Sequence, residues 1–491
     1  MALNSLWVKA TKPLPRKSGG RIICMSKDAK KLASRNANRS RTPHSKQFMK
    51  YIGSNWADRD NKLPKQDAVA PFAAKRRAAV AKAFKGKVVV IEAGNMKTRS
   101  NDTEYRFRAH SAFAHLTGWG THTVPGSVLV IDARKGSKST LFLRETAGHD
   151  TDEFFANSAI GEFWVGSRPG LKQVSALLGL PTKSLSTYDA FIKSLPKKDV
   201  LTLDDASVAE FVSELRLIKD AYEIAEMRKA VAASVEGFKS VVRNLDRAVK
   251  HPRGERIVEG AFFAEARANG NDLGYETIAA AGEHACTLHW IINDGKVRKG
   301  ELLLLDAGVE VESLYTADIT RTLPINGKFD ATQEMIYEAV REAADAAFKI
   351  AKPGVKFREI HAAAMKVIAQ KTAEWGLLPV SAEESLEPDN QFHRRWMIHG
   401  TSHHLGMDVH DCAQARREMY LDAELKPGMI FTIEPGLYFH KDDLLVPKKF
   451  RGIGARIEDD VLVTKNGVEN LTKALPRKAR DVEAWMKKVA S

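Results

Sequence analysis

His399-Gly-Thr-Ser-His403-His-Leu-Gly-Met-Asp-Val-His410-Asp411 is the stretch whose reading decides the fold. Its histidines His399, His403 and His410 stand at offsets of four and seven. Glycines and small polar residues surround them and would make a poor helix, so a loop or bent strand is expected to present the imidazoles. Two apolar runs follow, Met429-Ile-Phe-Thr-Ile-Glu434-Pro-Gly436 and Ala455-Arg456-Ile-Glu458-Asp-Asp-Val-Leu-Val463, and Leu302-Leu-Leu-Leu-Asp306 precedes them. Each carries a carboxylate inside or at the end of a strand-sized apolar segment. A buried ionised carboxylate is costly unless it is paired or binds a metal. Several of them accompanying a histidine cluster point to a metal centre.

The 491 residues suffice for two or three domains. No segment approaches the roughly 20 consecutive apolar residues that span a bilayer, so no membrane role is expected. Cys24, Cys286 and Cys412 are widely separated and lack metal-ligand spacing, which points to free thiols in a reducing compartment and hence to the cytoplasm. The net charge of +15 is concentrated at one end: residues 1–50 hold 13 Lys or Arg against the single acid Asp28, leaving +3 for the other 441 residues. Nucleic-acid binding is therefore not expected of the folded remainder. Residues 1–44, rich in Ser, Asn, Gly and Pro, are expected to form a disordered, solvated arm. Their Arg and Ser content also fits an organelle transit segment or a hold on phosphate backbones.

From about Lys46 the chain reads as folded. Phe72–Phe84 is a helix former closed by Gly86, and the β-branched runs at 87–92, 127–132 and 139–144 read as strands. Helical patterns recur at 171–179 and 204–218, giving an α/β domain with a mixed sheet over residues 45–218. Arg106, Arg108, His110, Ser111 and His115 cluster in what is expected to be a solvated loop. A boundary falls near residue 219, where Asp220 and Glu223 have capping-box spacing. Ile224, Met227, Val231, Val235, Phe238 and Val242 then make one apolar helix face. A second helix (255–268), strands at 277–281, 286–292, 302–306, 310–314 and 318–323, and helices at 331–351 and 357–375 follow. No internal repeat is visible.

Asp306 closes its apolar run, and Asp318 comes twelve residues later, beyond a glycine-containing reversal. Two antiparallel strands would bring both carboxylates to one spot. Strand alternation places Thr320 on the face of Asp318 and Arg456 on the face of Glu458, where a hydroxyl and a guanidinium orient ligands and balance charge. Four carboxylates and one imidazole exceed what one divalent ion with an open position requires. They suit two, and oxygen-rich ligation favours manganese. Two such ions hold a hydroxide at neutral pH and polarise a carbonyl.

The order Asp306, Asp318, His403, Glu434, Glu458 resembles the ligand set of the pita-bread dimetal peptidases. The wording around it, His399-Gly-Thr-Ser-His403, Asp408-Val-His410-Asp411, Glu434-Pro-Gly-Leu-Tyr438 and Gly452-Ile-Gly-Ala-Arg-Ile-Glu458-Asp-Asp460, is similar to that of the Xaa-Pro aminopeptidases, or aminopeptidase P. The likeness covers roughly residues 45–475. It implies a creatinase/prolidase-like N-terminal α/β domain (45–218) and an α+β pita-bread catalytic domain (219–491), with the basic arm (1–44) outside both. It further implies release of the N-terminal residue from Xaa-Pro peptides, through attack by a hydroxide bridging the two metals. Asp306 would hold one ion, Asp318 and Glu458 would bridge, and His403 and Glu434 would complete the other. Glu434 would shuttle the proton, His289 and His410 would bind the substrate amide or oxyanion, and His399 would line the pocket. A homo-oligomer, dimer or tetramer, is expected. The rival within the family is an Xaa-Pro dipeptidase (prolidase). A non-catalytic peptide-binding relative would lack metal ligands, and here all five are present.

Overall fold

Asp220 and Glu223 cap the helix Ala221–Lys250 reciprocally in the computed structural model, which describes residues 45–101 and 103–491. The Asp220 carboxylate accepts from the Tyr222 and Glu223 N–H groups, and the Glu223 carboxylate accepts from the Asp220 N–H at 2.9 Å. The expected basic arm, residues 1–44, lies outside the described residues. Met227, Val231, Val235, Phe238 and Val242 are buried along one face of this helix, which packs on Gly254–Asn269. Gly237 lies tight against the second helix, where a Cβ would be 2.5 Å from the Phe262 ring. Only glycine permits that approach.

The pattern then recurs. Ala331–Ile350 opens on a second capping box, Asp330 with Gln333, and packs on Phe357–Glu374. The first helix pair is followed by the antiparallel strands Ile278–Ala281, Leu302–Ala307 and Ile319–Pro324. The second is followed by Ile430–Ile433, Asp459–Val463 and Val468–Asn470, and by the hairpin of Gly436–Phe439 with Ile453–Arg456. Two helix pairs, each leading into short antiparallel sheets, make the pita-bread arrangement. The repetition lies in the order of elements and not in residue identity, so no repeat shows in the sequence.

Upstream, a five-stranded mixed sheet runs Thr182–Ser184, Lys138–Leu143, Val128–Asp132, Val88–Glu92, Val200–Leu201; Val88–Glu92 pairs antiparallel with Val128–Asp132 and parallel with Val200–Leu201. The described residues group into two units. One comprises residues up to Asn61 with Glu145–Gly170 and Ser184–Ser194; the other comprises Lys62–Arg144, Leu171–Lys183 and Leu195–Ser491. The first is knit by aromatic edge contacts, Trp56 on Phe154 at 5.1 Å and Phe154 on Phe163 at 5.6 Å. The candidate site lies wholly within the second. Among the described residues no helix is long and apolar enough to cross a membrane, and Cys286 and Cys412 are free and buried.

Several expectations give way. The segment Arg106–His115 is an exposed loop only in its first half: Arg106, Arg108 and His110 are exposed, but the chain then enters the helix Ser111–Thr117, in which Ser111 and His115 are buried. Ala112, Phe113, Ala114 and Leu116 pack inward, and the His110 ring caps the helix by accepting from the Ala112 N–H. Residues 286–292 form no strand but follow a 3-10 turn at Gly282–Cys286 as irregular chain. Beyond Val309–Glu310 the expected strand ends, because Leu314 turns the backbone at a φ of +70°. The run 455–463 breaks into Ile453–Arg456 and Asp459–Val463, so Arg456 and Glu458 are not alternate residues of one strand.

Glu223 does more than cap. Tyr315 Oη donates to it at 2.7 Å, His115 Nε2 lies at 3.2 Å and Arg76 Nη2 at 3.4 Å. Burial alone would raise this carboxyl, but His115 and Arg76 outweigh burial and hold it well below the usual range. Removing one partner of a buried charge pair costs about 3–5 kcal/mol. Glu223→Ala is expected to lose unfolding free energy of that order in urea denaturation; a loss below about 1 kcal/mol, the scale of an exposed pair, contradicts it.

Candidate metal centre

Asp306 is the penultimate residue of the wholly buried strand Leu302–Ala307, and pairing sets it opposite Thr320, two residues beyond Asp318. Both carboxylates therefore reach one place: Tyr275 Oη lies 2.6 Å from Asp306 Oδ1 and 2.5 Å from Asp318 Oδ1. A phenol has one proton to give. The two carboxylates compete for it. The segment 399–411 forms no regular strand, but residues 401–405 pair antiparallel with 430–434, with Thr432 N–H on the His403 carbonyl and Glu434 N–H on the Thr401 carbonyl, both at 2.9 Å, and this brings His403 over the same spot. His403 Nε2 stands 3.2 Å from Asp318 Oδ2, 3.4 Å from Glu434 Oε1 and 3.9 Å from Glu458 Oε1. Ligand atoms of Asp318, His403 and Glu458 lie within 4.8 Å of one another.

Thr320 and Arg456 brace this cluster. Thr320 Oγ1 donates to Glu458 at 2.6 Å and accepts from Arg456 Nε at 3.1 Å. Arg456 also donates to Asp306 Oδ2 at 2.5 Å and to Tyr438 Oη at 2.9 Å. Thus Arg456 and Glu458 meet at Thr320 in spite of the strand break between them. Gly436 makes room for the tyrosine, since a Cβ there would sit 2.3 Å from Tyr438 Oη.

The charges are out of balance. Burial pushes Glu434 up to about 7, and it also raises Asp306, Glu458 and Asp460, each with Asp318 adding to the rise. Burial works the other way on His403, but Asp318 and Glu434 overcome it and carry the ring to about 9. Carboxyls held protonated and an imidazole held cationic mark a site short of positive charge. A hard divalent cation supplies that charge, and oxygen-rich donors with one imidazole suit it. The donor set fits the metal.

Asp306, Asp318, His403, Glu434 and Glu458 all line one cavity of about 590 Å³, together with His289, His399, His410, Tyr275 and Arg456. The His410 ring stands perpendicular to that of His403, centroids 4.5 Å apart. His399 is pushed down to about 3 by burial and is neutral, with Nδ1–H on the Gly400 carbonyl at 2.6 Å and Nε2 accepting from Tyr438 Oη at 2.7 Å. It therefore offers the cavity a ring face and no free nitrogen. His404 turns away to stack on Phe357 at 4.5 Å. Tyr275, Tyr438 and Asp460 escaped the reading of the sequence. A single phenol outside any periodic run leaves no signal, whereas Asp460, whose carboxylate accepts the Asp318 N–H at 3.3 Å, stood in plain view inside an apolar run.

The loop is tied at its far end. Arg216 Nε donates to Asp411 Oδ1 at 2.8 Å, and Arg108 donates to the Met407 carbonyl at 2.6 Å and to Glu310 at 2.5 Å. Ser111 donates to Asp408. The run set aside as solvated thus fixes the loop that carries His403 and His410.

A buried cluster of carboxylates and histidine at the floor of a cavity, within a pita-bread scaffold, defines the class: a metal-dependent hydrolase. The model of metallopeptidase family M24 matches residues 225–465, and that of the aminopeptidase P N-terminal domain matches residues 73–201. Xaa-Pro aminopeptidase 1 of Streptomyces coelicolor is 47% identical over 450 residues, 88% of this chain and 90% of its own length. Xaa-Pro aminopeptidase of Escherichia coli is 30% identical over 440 residues, 84% of this chain and 97% of its own. The solved aminopeptidase PepP of Pseudomonas aeruginosa matches with a TM-score of 0.74 at 30% identity, over 86% of this chain and 98% of its own. A zinc-substituted E. coli aminopeptidase P in complex with product gives 0.75 at 29%, over 87% and 100%. The chain belongs to metallopeptidase family M24, in its aminopeptidase P group.

The shifts set a test. Between its usual 4.5 and about 7, Glu434 binds more proton in the folded chain than in the unfolded one; His403 does so between 6.5 and about 9. Stability from both is lost as pH rises. The melting temperature of chelator-treated protein should fall from pH 6.5 to 9, and saturating Mn²⁺ should raise it most at the alkaline end. A metal-free melting temperature that climbs over that interval contradicts the assignment.

Proposed function

We propose that the protein is a metal-dependent aminopeptidase that releases the N-terminal residue from peptides with proline in the second position. The observation that carries this reading is the convergence of five ligand-type side chains and three further histidines on one cavity, in a chain whose relatives of similar length are Xaa-Pro aminopeptidases. Asp306, Asp318, His403, Glu434 and Glu458 are the proposed metal holders, for two ions, with manganese favoured by the oxygen-rich set. When bound, such ions supply Lewis acidity at a carbonyl and acidify water near neutral pH.

The chain's own groups do the rest. Glu434, on the cavity wall beside His403, is placed to take the proton from the attacking water and return it to the leaving proline nitrogen. His410 and His289, on the cavity wall, are placed to donate to the substrate amide and to the oxyanion that forms from the scissile carbonyl. Neutral His399 contributes an uncharged surface for the proline side. Thr320 and Arg456 hold Glu458 and Asp306 in orientation. The proposal extends to a domain boundary at residues 218/219, a homo-oligomeric state, and a cytoplasmic setting that the free buried thiols support.

Product analysis on Xaa-Pro, Xaa-Pro-Yaa and Xaa-Ala-Yaa with manganese-loaded protein tests the activity. Release of Xaa from Xaa-Pro-Yaa with little from Xaa-Ala-Yaa is expected; cleavage of the dipeptide alone would make the protein a prolidase. Glu434→Gln should lower kcat by at least about 10²-fold with folding intact. Wild-type turnover by that variant would overturn the role given to Glu434.

A further inference from the structure

Glu255 is fully buried, at 0% exposure, in the first turn of the helix Gly254–Asn269, and it lies outside the metal centre. Its two oxygens accept four hydrogen bonds. Oε1 takes the Ala281 N–H at 2.8 Å and the His284 ring Nδ1 at 2.8 Å; Oε2 takes the Trp290 indole N–H at 2.9 Å and the Gly295 N–H at 2.7 Å. All four donors lie in residues 281–295, the connection between the strands Ile278–Ala281 and Leu302–Ala307. After its opening 3-10 turn this connection has no regular structure, yet it carries Leu288, His289 and Ile291 into the wall of the site cavity.

We propose that Glu255 is the positioning residue for His289, organising the loop that presents this histidine to the substrate; this rests on the function proposed above. The chemistry of the acceptor explains why a charge is buried here. A carboxylate offers about four lone-pair positions on two oxygens and no donor. A glutamine of the same shape would turn its NH₂ against two N–H groups, orphaning them in the core. The bonds are charge-assisted and therefore strong. They seize the loop on both sides of His289: the 3-10 turn through His284, the adjacent residue through Trp290, and the exit through Gly295. The His284 ring stacks on Trp290 at 3.9 Å, so these two anchors also hold each other. Asn293, in the left-handed region at a φ of +48°, adds a pin to the neighbouring strand by accepting from Ala279 N–H at 3.1 Å and donating to the Thr277 carbonyl at 2.8 Å. His289 itself is exposed to the cavity, so its place is set by the backbone that Glu255 holds.

A double-mutant cycle on the metal-loaded full chain tests this, with Xaa-Pro-Yaa as substrate and the variants Glu255→Gln and His289→Ala. Misplacing a catalytic group by about 1 Å costs on the order of 10²-fold, so Glu255→Gln should lower kcat/KM by about 10- to 100-fold with metal content unchanged. In the His289→Ala background it should cost less than roughly twofold. Equal losses in both backgrounds, or no loss with His289 present, overturn the proposal. Should Glu255→Gln fail to fold, Trp290→Phe removes one donor and keeps an aromatic ring on His284. It is expected to cost about three- to tenfold, again only when His289 is present, and full additivity overturns the proposal.

Amide hydrogen exchange gives a reading independent of activity. Whichever of the two variants folds should exchange faster across residues 282–295 and no faster in the helices Ala331–Ile350 and Phe357–Glu374. Unchanged exchange across 282–295 refutes the loop claim even where the peptidase activity stands. A wild-type chain inert toward Xaa-Pro-Yaa refutes the function, and His289 then has no substrate to be positioned for.

Discussion

Burying carboxylates without their countercharge is the constraint on which this structure turns, and the chain meets it in three ways. Asp459, fully buried, is paired with Arg321 at 2.6 Å, and Asp411 with Arg216 at 2.8 Å: charge against charge. Glu255 is surrounded by N–H donors and relies on their dipoles. The third group, Asp318, Glu434 and Glu458, is left with His403, the neutral His399 and hydroxyl contacts, and there Glu434 and Glu458 climb toward protonation. Glu458 and Asp459 are neighbours in sequence and equally buried. One is answered from within the chain and the other awaits a cation from outside. That contrast marks Glu458 as a metal-holding acid, while Asp306, paired with Arg456, joins the metal holders through its place beside Asp318.

The scaffold follows from the need to hold those donors without freedom. The Asp306 and Thr320 strands are buried over their whole length, so their register cannot slip without moving an entire apolar face into the charges. Arg456 ties Asp306, Thr320 and Tyr438 together, and the glycines at 436 and 454 let backbone approach where side chains would collide. The histidine segment pairs antiparallel along residues 430–434 at 401–405, and its far end is fastened by Arg216 and Arg108. The His289 loop has no such pairing and is fastened by Glu255. Irregular segments that carry reactive groups are each held by a buried charge-assisted hydrogen bond from a helix or its flank, which places the side chains as firmly as strands would.

Much of this was legible in the residues. Carboxylates inside apolar runs named Asp306, Glu434 and Glu458, and the long apolar stripe with its capping box named the helix that opens the catalytic half. The order of ligands carried the family resemblance. What failed did so for identifiable reasons. Arg108, Ser111 and His115 read as solvated because polarity is local information, whereas their partners Glu310, Asp408 and Glu223 each lie more than 100 residues away in the chain. Residues 286–292 read as a strand because their composition is β-like, but no ladder forms there: Glu255 holds the segment through the Trp290 indole and, on either side, through the Ala281 and Gly295 N–H groups. Tyr275 could not be found by spacing, since its role exists only once two strands have brought Asp306 and Asp318 within reach of one hydroxyl.

The central claim is that the unanswered carboxylates exist to hold metal. Anomalous diffraction from crystals grown with Mn²⁺, collected above and below the manganese edge, tests it most directly. Two peaks are expected, about 3.5–4 Å apart as in other two-metal sites. Both should be ringed by Asp306, Asp318, His403, Glu434 and Glu458, with Arg456 and Tyr275 outside the coordination sphere. A centre without anomalous density at saturating Mn²⁺, or density bound by other residues while these carboxyls stay protonated, would contradict it.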